Sequence, residues 1–108
     1  MQKTVWLSYD LGVKGDYEGL YKWLDNLEAS ECGDSLAFFT IDVPNGKDVP
    51  NFVAETLKAD VSFGKSDRVY LIWRNDQEGR NKGRFIIGKR KASPWEGRGD
   101  RAQTQDDQ

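Results

Sequence analysis

Histidine is absent from the chain, cysteine and methionine occur once each, and proline occurs three times in 108 residues. Without histidine, neither a Ser–His or Cys–His nucleophile pair nor a histidine-held metal can form within one chain. Chemistry, if any, falls to carboxylates, lysine, tyrosine or a metal bound through oxygen. The single Cys32 cannot close an internal disulfide, so packing alone must hold the fold, as suits a reducing compartment. No apolar run approaches the roughly 20 residues that a membrane helix needs. Met1-Gln2-Lys3-Thr4 leads straight into a strand pattern and not into a signal peptide, so the expected location is cytoplasmic.

What is present fits one domain. The length and apolar share support a single two-layer core. The net charge of −2 conceals an uneven division. Residues 1–60 carry 5 basic and 11 acidic side chains, residues 61–98 carry 10 and 4, and the last ten carry 1 and 3. A basic C-terminal half is the footprint expected of a polyanion partner. It is equally the footprint of self-complementarity, an acidic half facing a basic half within one fold or across a dimer.

From Lys3 to Leu11 the chain alternates, with Val5, Leu7, Tyr9 and Leu11 on one side and Trp6, Ser8 and Asp10 on the other, the period of a half-buried strand. Gly12 to Gly15 supplies a turn, and Asp16 stands where a carboxylate caps a helix. Tyr17, Leu20, Tyr21, Leu24 and Leu27 then mark one helical face. Ala29–Gly33 and Leu36–Ile41, joined at Asp34-Ser35, read as a hairpin. After the Asn45-Gly46 turn, Asp48 caps a second helix that accepts Pro50 in its first turn and buries Phe52, Val53, Thr56 and Leu57.

The continuous apolar run Val69–Trp73 reads as a strand of the sort that lies in the middle of a sheet. Asp76–Gly83 reads as a polar loop, and Phe85 opens a last strand running into Lys89-Arg90-Lys91, followed by Pro94 and Trp95. The expected class is α+β: a ferredoxin-like two-layer sandwich, an antiparallel sheet with two helices on one face and an extra C-terminal strand. The domain spans 1–96, and residues 97–108, almost without apolar side chains, form a disordered tail.

Asp10, ending the first strand beside a glycine-bearing loop, is the candidate catalytic and metal-binding residue. Paired across a dimer, two copies could hold Mg²⁺ or Mn²⁺ and activate water against a phosphodiester. A lone aspartate in this place also serves simply to fix a turn. Arg80, Lys82, Arg84, Lys89, Arg90 and Lys91 are the candidate nucleic-acid-binding residues, with Trp73 or Trp95 available for stacking. Cations on an outer strand equally guard against edge-to-edge aggregation. Trp6, Ser8 and Trp95 are the candidate interface residues: Trp6 and Ser8 lie on the sheet face away from the helices, and Trp95 follows Pro94 outside the regular pattern. Cys32 reads as a small core or hairpin residue, and Gly12-Val13-Lys14-Gly15 lacks the spacing and the Lys-Ser/Thr ending of a phosphate loop.

Ser8-Tyr9-Asp10-Leu11, the segment Tyr17–Leu24 and Glu31-Cys32-Gly33-Asp34-Ser35 resemble a SinR-like group of small bacterial proteins and the small ferredoxin-fold subunit of the CRISPR adaptation complex. The resemblance spans roughly residues 3–75. It implies a homodimer formed through the open sheet and last strands, DNA held on a basic surface matched here by Lys89-Arg90-Lys91, and a metal-dependent nuclease site at Asp10. Three functions follow as expectations. The first is a homodimeric DNA- or RNA-binding protein with a weak or vestigial Mg²⁺ site. The second is a metal-dependent phosphodiesterase. The third is a non-catalytic adaptor or inhibitor, encoded on a mobile element, that grips a protein partner through the Trp6 face.

Overall fold

The computed structural model describes residues 1–100. Along the chain run β1 (Gln2–Asp10), α1 (Tyr17–Asn26), β2 (Ser30–Gly33), β3 (Leu36–Asp42), α2 (Val49–Asp60), β4 (Arg68–Asn75) and β5 (Arg80–Ile87). The strands form one antiparallel sheet in the order β2-β3-β1-β4-β5, with β1 at its centre.

The alternation of β1 decides how the layers stack. Val5 and Leu7 are fully buried, while Ser8 and Asp10 are exposed and Trp6 is half-buried. Their cross-strand partners extend the buried face through Ala37 and Phe39 of β3 and Leu71 and Trp73 of β4. Leu20, Trp23 and Leu24 of α1 and Val53 and Leu57 of α2 join these residues in one core, with Trp23 edge-on to Phe39 at 5.4 Å. Both helices therefore cover the same face, giving two layers. The segment expected to be disordered from residue 97 lies mainly outside the described residues; just before it, Ser93–Arg98 forms two successive turns through Glu96 N–H to Ser93 O and Arg98 N–H to Trp95 O.

Each helix begins where a carboxylate can cap it. Asp48 accepts from the Asn51 N–H, and Pro50 sits in the first turn, where no helical donor is lost. Asp16 accepts from Gly19 N–H at 2.9 Å and also from Ser62 N–H at 3.0 Å, so one side chain caps α1 and ties it to the α2–β4 loop. These donors, Ser62 first and then Gly19, hold the Asp16 carboxyl below its ordinary pKa. Helix α1 closes in a Schellman arrangement, Ala29 N–H to Leu24 O and Glu28 N–H to Asp25 O. Glu28 stands in the left-handed position at φ 55°, where glycine is usual.

Several local expectations are corrected. The buried stripe of α1 is Leu20, Trp23 and Leu24, with Leu27 partly buried; Tyr17 and Tyr21 are 37% and 52% exposed and stack beside Tyr9. The run Val69–Trp73 does lie inside the sheet, between β1 and β5, and it alternates there: Val69, Leu71 and Trp73 are buried, while Tyr70 and Ile72 emerge half-buried on the face that lacks helices. The last strand starts at Arg80 and stops at Ile87, because Gly88 turns the chain at φ 74°, so Lys89-Arg90-Lys91 lie beyond it. Cys32 is exposed on the edge strand β2, which keeps it in the hairpin and out of the core.

The buried charged residue in the core layer is Asp67, 4% exposed, which accepts from Gly12 N–H at 2.6 Å and Gly64 N–H at 2.7 Å. It joins the loop after β1 to the loop before β4. Asp67→Ala strands both donors and is expected to cost roughly 2–4 kcal/mol in urea unfolding, whereas a loss below about 0.5 kcal/mol would show that the loops do not depend on it.

Candidate functional site

The face without helices is built by strand pairing. Residues directly opposite one another share a side of the sheet. One row runs Leu36, Ser8, Tyr70, Phe85; the next runs Phe38, Trp6, Ile72, Gly83; Asp10 and Arg68 pair at the rim beside the first. Trp6 lies 5.4 Å from Phe38 and Tyr70 lies 4.8 Å, edge-on, from Phe85, so each row holds one aromatic pair.

Gly83 explains the pose of Tyr70. A Cβ at that position would meet Tyr70 Oη, Cε2 and Cζ at 2.5–2.8 Å. The outer end of the ring thus occupies the space over β5 that a side chain at Gly83 would fill.

Two guanidinium groups gather at this end of the face. Arg68 lies 5.6 Å from the centre of the Phe85 ring; Arg90, brought back by the turn at Gly88, lies 5.4 Å from Phe85 and 5.8 Å from Tyr70. These are cation–π distances. Arg68 Nη2 donates to Asp10 Oδ2 at 2.8 Å, while its buried Nε finds no acceptor among the described residues, so Asp10 and the Phe85 ring are what hold it. Ser8, Asp10, Arg68, Tyr70, Phe85 and Arg90 line a shallow cavity of about 330 Å³. A larger concavity of about 600 Å³, beside α2 and the end of β5, carries one charged side chain, Lys58, and no charge cluster.

The sheet divides the six candidate basic residues. Lys82 and Arg84 stand opposite Trp73 and Leu71, which puts them on the helix side of β5. Arg84 reaches Asn51 and Asp48 at the start of α2, and Arg80 and Lys82 share Glu78. Lys89, Arg90 and Lys91 are exposed, and no carboxylate of the described residues lies within salt-bridge distance of them. Trp6 and Ser8 sit on the open face, whereas Trp95 stands in the separate Ser93–Arg98 turn, 70% exposed.

Asp10 is at the end of β1 as expected, and its chemistry here is set by Arg68. The hydrogen bond from Arg68 comes first in holding its carboxyl below the ordinary pKa, reinforced by the charges of Arg68 and Lys91 and opposed by burial. Among the described residues no three His, Cys, Asp or Glu side chains cluster as metal ligands. Sequence reasoning does not single out Arg68, Tyr70, Phe85 or Gly83 for this site. Their common signal is register: each lies on the Ser8 side of the sheet, which shows only once the strands are aligned.

Comparison with protein-family models, curated proteins and solved structures finds no match.

The Asp10–Arg68 pair gives a pH dependence of known sign. A carboxylate with a lowered folded-state pKa contributes stability above its unfolded pKa and loses it as pH falls through the folded value. Both groups are solvent-accessible, so the contribution is small. Arg68→Met is expected to move the Asp10 carboxyl titration upward toward its ordinary value by carbon-detected NMR; an unmoved titration would show that Arg68 does not hold it.

Proposed function

We propose that this domain binds nucleic acid at the Arg68–Arg90 end of its open sheet face, through Lys89, Arg90 and Lys91. The observation that carries the reading is the division of the basic residues. Arg80, Lys82 and Arg84 already have acidic partners, whereas Lys89, Arg90 and Lys91 have none among the described residues, and Arg90 among them stands against the aromatic pair. Unpaired, exposed cations displace counterions from phosphates without first breaking an internal ion pair. In this reading Asp10 positions Arg68 against Phe85. The resemblance to the CRISPR adaptation subunit likewise implies a basic nucleic-acid surface at Lys89-Arg90-Lys91. A ferredoxin-like assignment is part of the same proposal: the order β2-β3-β1-β4, with helices linking β1 to β2 and β3 to β4, supports it, and β5 is then an added edge strand.

A second reading, a homodimer or another protein seated on this face, is favoured by the row Phe38, Trp6 and Ile72, which carries no charge. Such a row is what an interface core requires. Solution mass and the solvent accessibility of Trp6 separate the two.

Fluorescence anisotropy of labelled DNA and RNA tests the first. Neutralising Lys89, Arg90 and Lys91 together should weaken binding and flatten the dependence of log K on log salt by about 0.7–0.9 for each phosphate no longer neutralised. The triple Arg80, Lys82 and Arg84 variant should change it little. Binding that is insensitive to salt, or abolished equally in both triples, would contradict the proposal.

A further inference from the structure

Resting on that reading, we infer that the ligand is single-stranded nucleic acid whose unpaired bases stack on Tyr70 and Phe85. Three observations carry this, and the first is the pose of Tyr70. Gly83 leaves room for the ring over β5, where any side chain would collide with it, on the sheet face that neither helix covers. A half-buried aromatic ring on a sheet face without a covering layer offers π surface on which a base can stack.

The second observation is the company the ring keeps. Phe85 is 4.8 Å away, and Arg90 stands within cation–π distance of both rings without a carboxylate partner among the described residues. Guanidinium planes and aromatic faces side by side are the usual surface for splayed bases, with the cation free to meet the flanking phosphate. Arg68 is already tied to Asp10 and serves as a fixed wall of the cavity, while Arg90 is the cation that a ligand can engage.

The third is the lie of the surface. Ser8, Tyr70 and Phe85 form a row across neighbouring strands of a two-layer domain, on the side that neither helix covers. A duplex keeps its bases stacked inward and would meet this face only with its phosphates, leaving the rings unused. Single strands can use both the rings and the charge of Lys89-Arg90-Lys91. Charge at the rim together with π surface beside it fits a single strand.

Anisotropy with a 12-mer single strand, as DNA and as RNA, and with the matching duplex, distinguishes this inference from the reading beneath it. The single strands should bind more tightly than the duplex. Tyr70→Leu and Phe85→Leu should each weaken single-strand binding about tenfold, and by a larger factor than they weaken duplex binding. Tyr70→Phe should restore binding. Gly83→Ala, which pushes the Tyr70 ring off the sheet, should act like Tyr70→Leu with the fold intact by circular dichroism.

If Lys89, Arg90 and Lys91 matter but the Tyr70, Phe85 and Gly83 variants bind as the parent does, stacking is overturned and phosphate binding stands. Equal affinity for duplex and single strand has the same consequence. No binding by the parent protein to any of the three probes overturns both. A dimer in solution with Trp6 and Tyr70 shielded from acrylamide quenching assigns the face to a second copy and also overturns the inference.

Discussion

Two helices on one side of a five-stranded sheet leave its other face uncovered among the described residues, and the arrangement of the rest follows from that shortage. Val5, Leu7, Phe39, Leu71 and Trp73 bury their apolar surface against α1 and α2. The alternation that buries them must place Trp6, Phe38, Tyr70 and Ile72 on the other side, where no third layer exists among the described residues. Aromatic pairing across the strands removes part of that surface from water, which is why these side chains are half-buried and not fully exposed. The face is neither a core nor an ordinary polar surface.

The same pleat sorts the charges. On β5, Lys82 and Arg84 fall on the helix side and pair with Glu78 of the β4–β5 turn and Asp48 at the start of α2; past Gly88 the chain turns, and Arg90 returns over the open face. Counted along the chain the basic residues form one block, but geometry makes two, one internally neutralised and one not. Asp10 belongs to this arrangement as the partner that fixes Arg68. Its position at the end of β1 beside Gly12 is thereby given a physical task that needs no metal.

Much of the framework is legible in the sequence because the signals are local. The alternation of β1, the carboxylates Asp16 and Asp48 at the helix starts, and the Asp34-Ser35 turn each depend on residues a few positions apart. What is not legible depends on strands far apart in sequence. Val69–Trp73 reads as uniformly apolar, and only pairing with β1 and β5 reveals that Tyr70 faces outward and lies over Gly83. Gly83 itself reads as a loop residue, because glycine between charged residues carries the same pattern in a turn and in a strand that yields space to a neighbour's ring. Arg68 is invisible for a similar reason: its role is set by Asp10, 58 residues away. The closure of α1 at Glu28 gives no warning either, since the left-handed position carries no glycine.

The proposed nucleic-acid site lies on the open sheet face at its Arg68–Arg90 end. Amide chemical-shift mapping of the labelled protein, titrated at low salt with an unlabelled single-stranded oligonucleotide, tests it most directly. The largest changes should fall on Ser8, Arg68, Tyr70, Phe85 and residues 89–91, with α1 and α2 little affected. Changes confined to the helices or to Arg80, Lys82 and Arg84, or none at all, would contradict it.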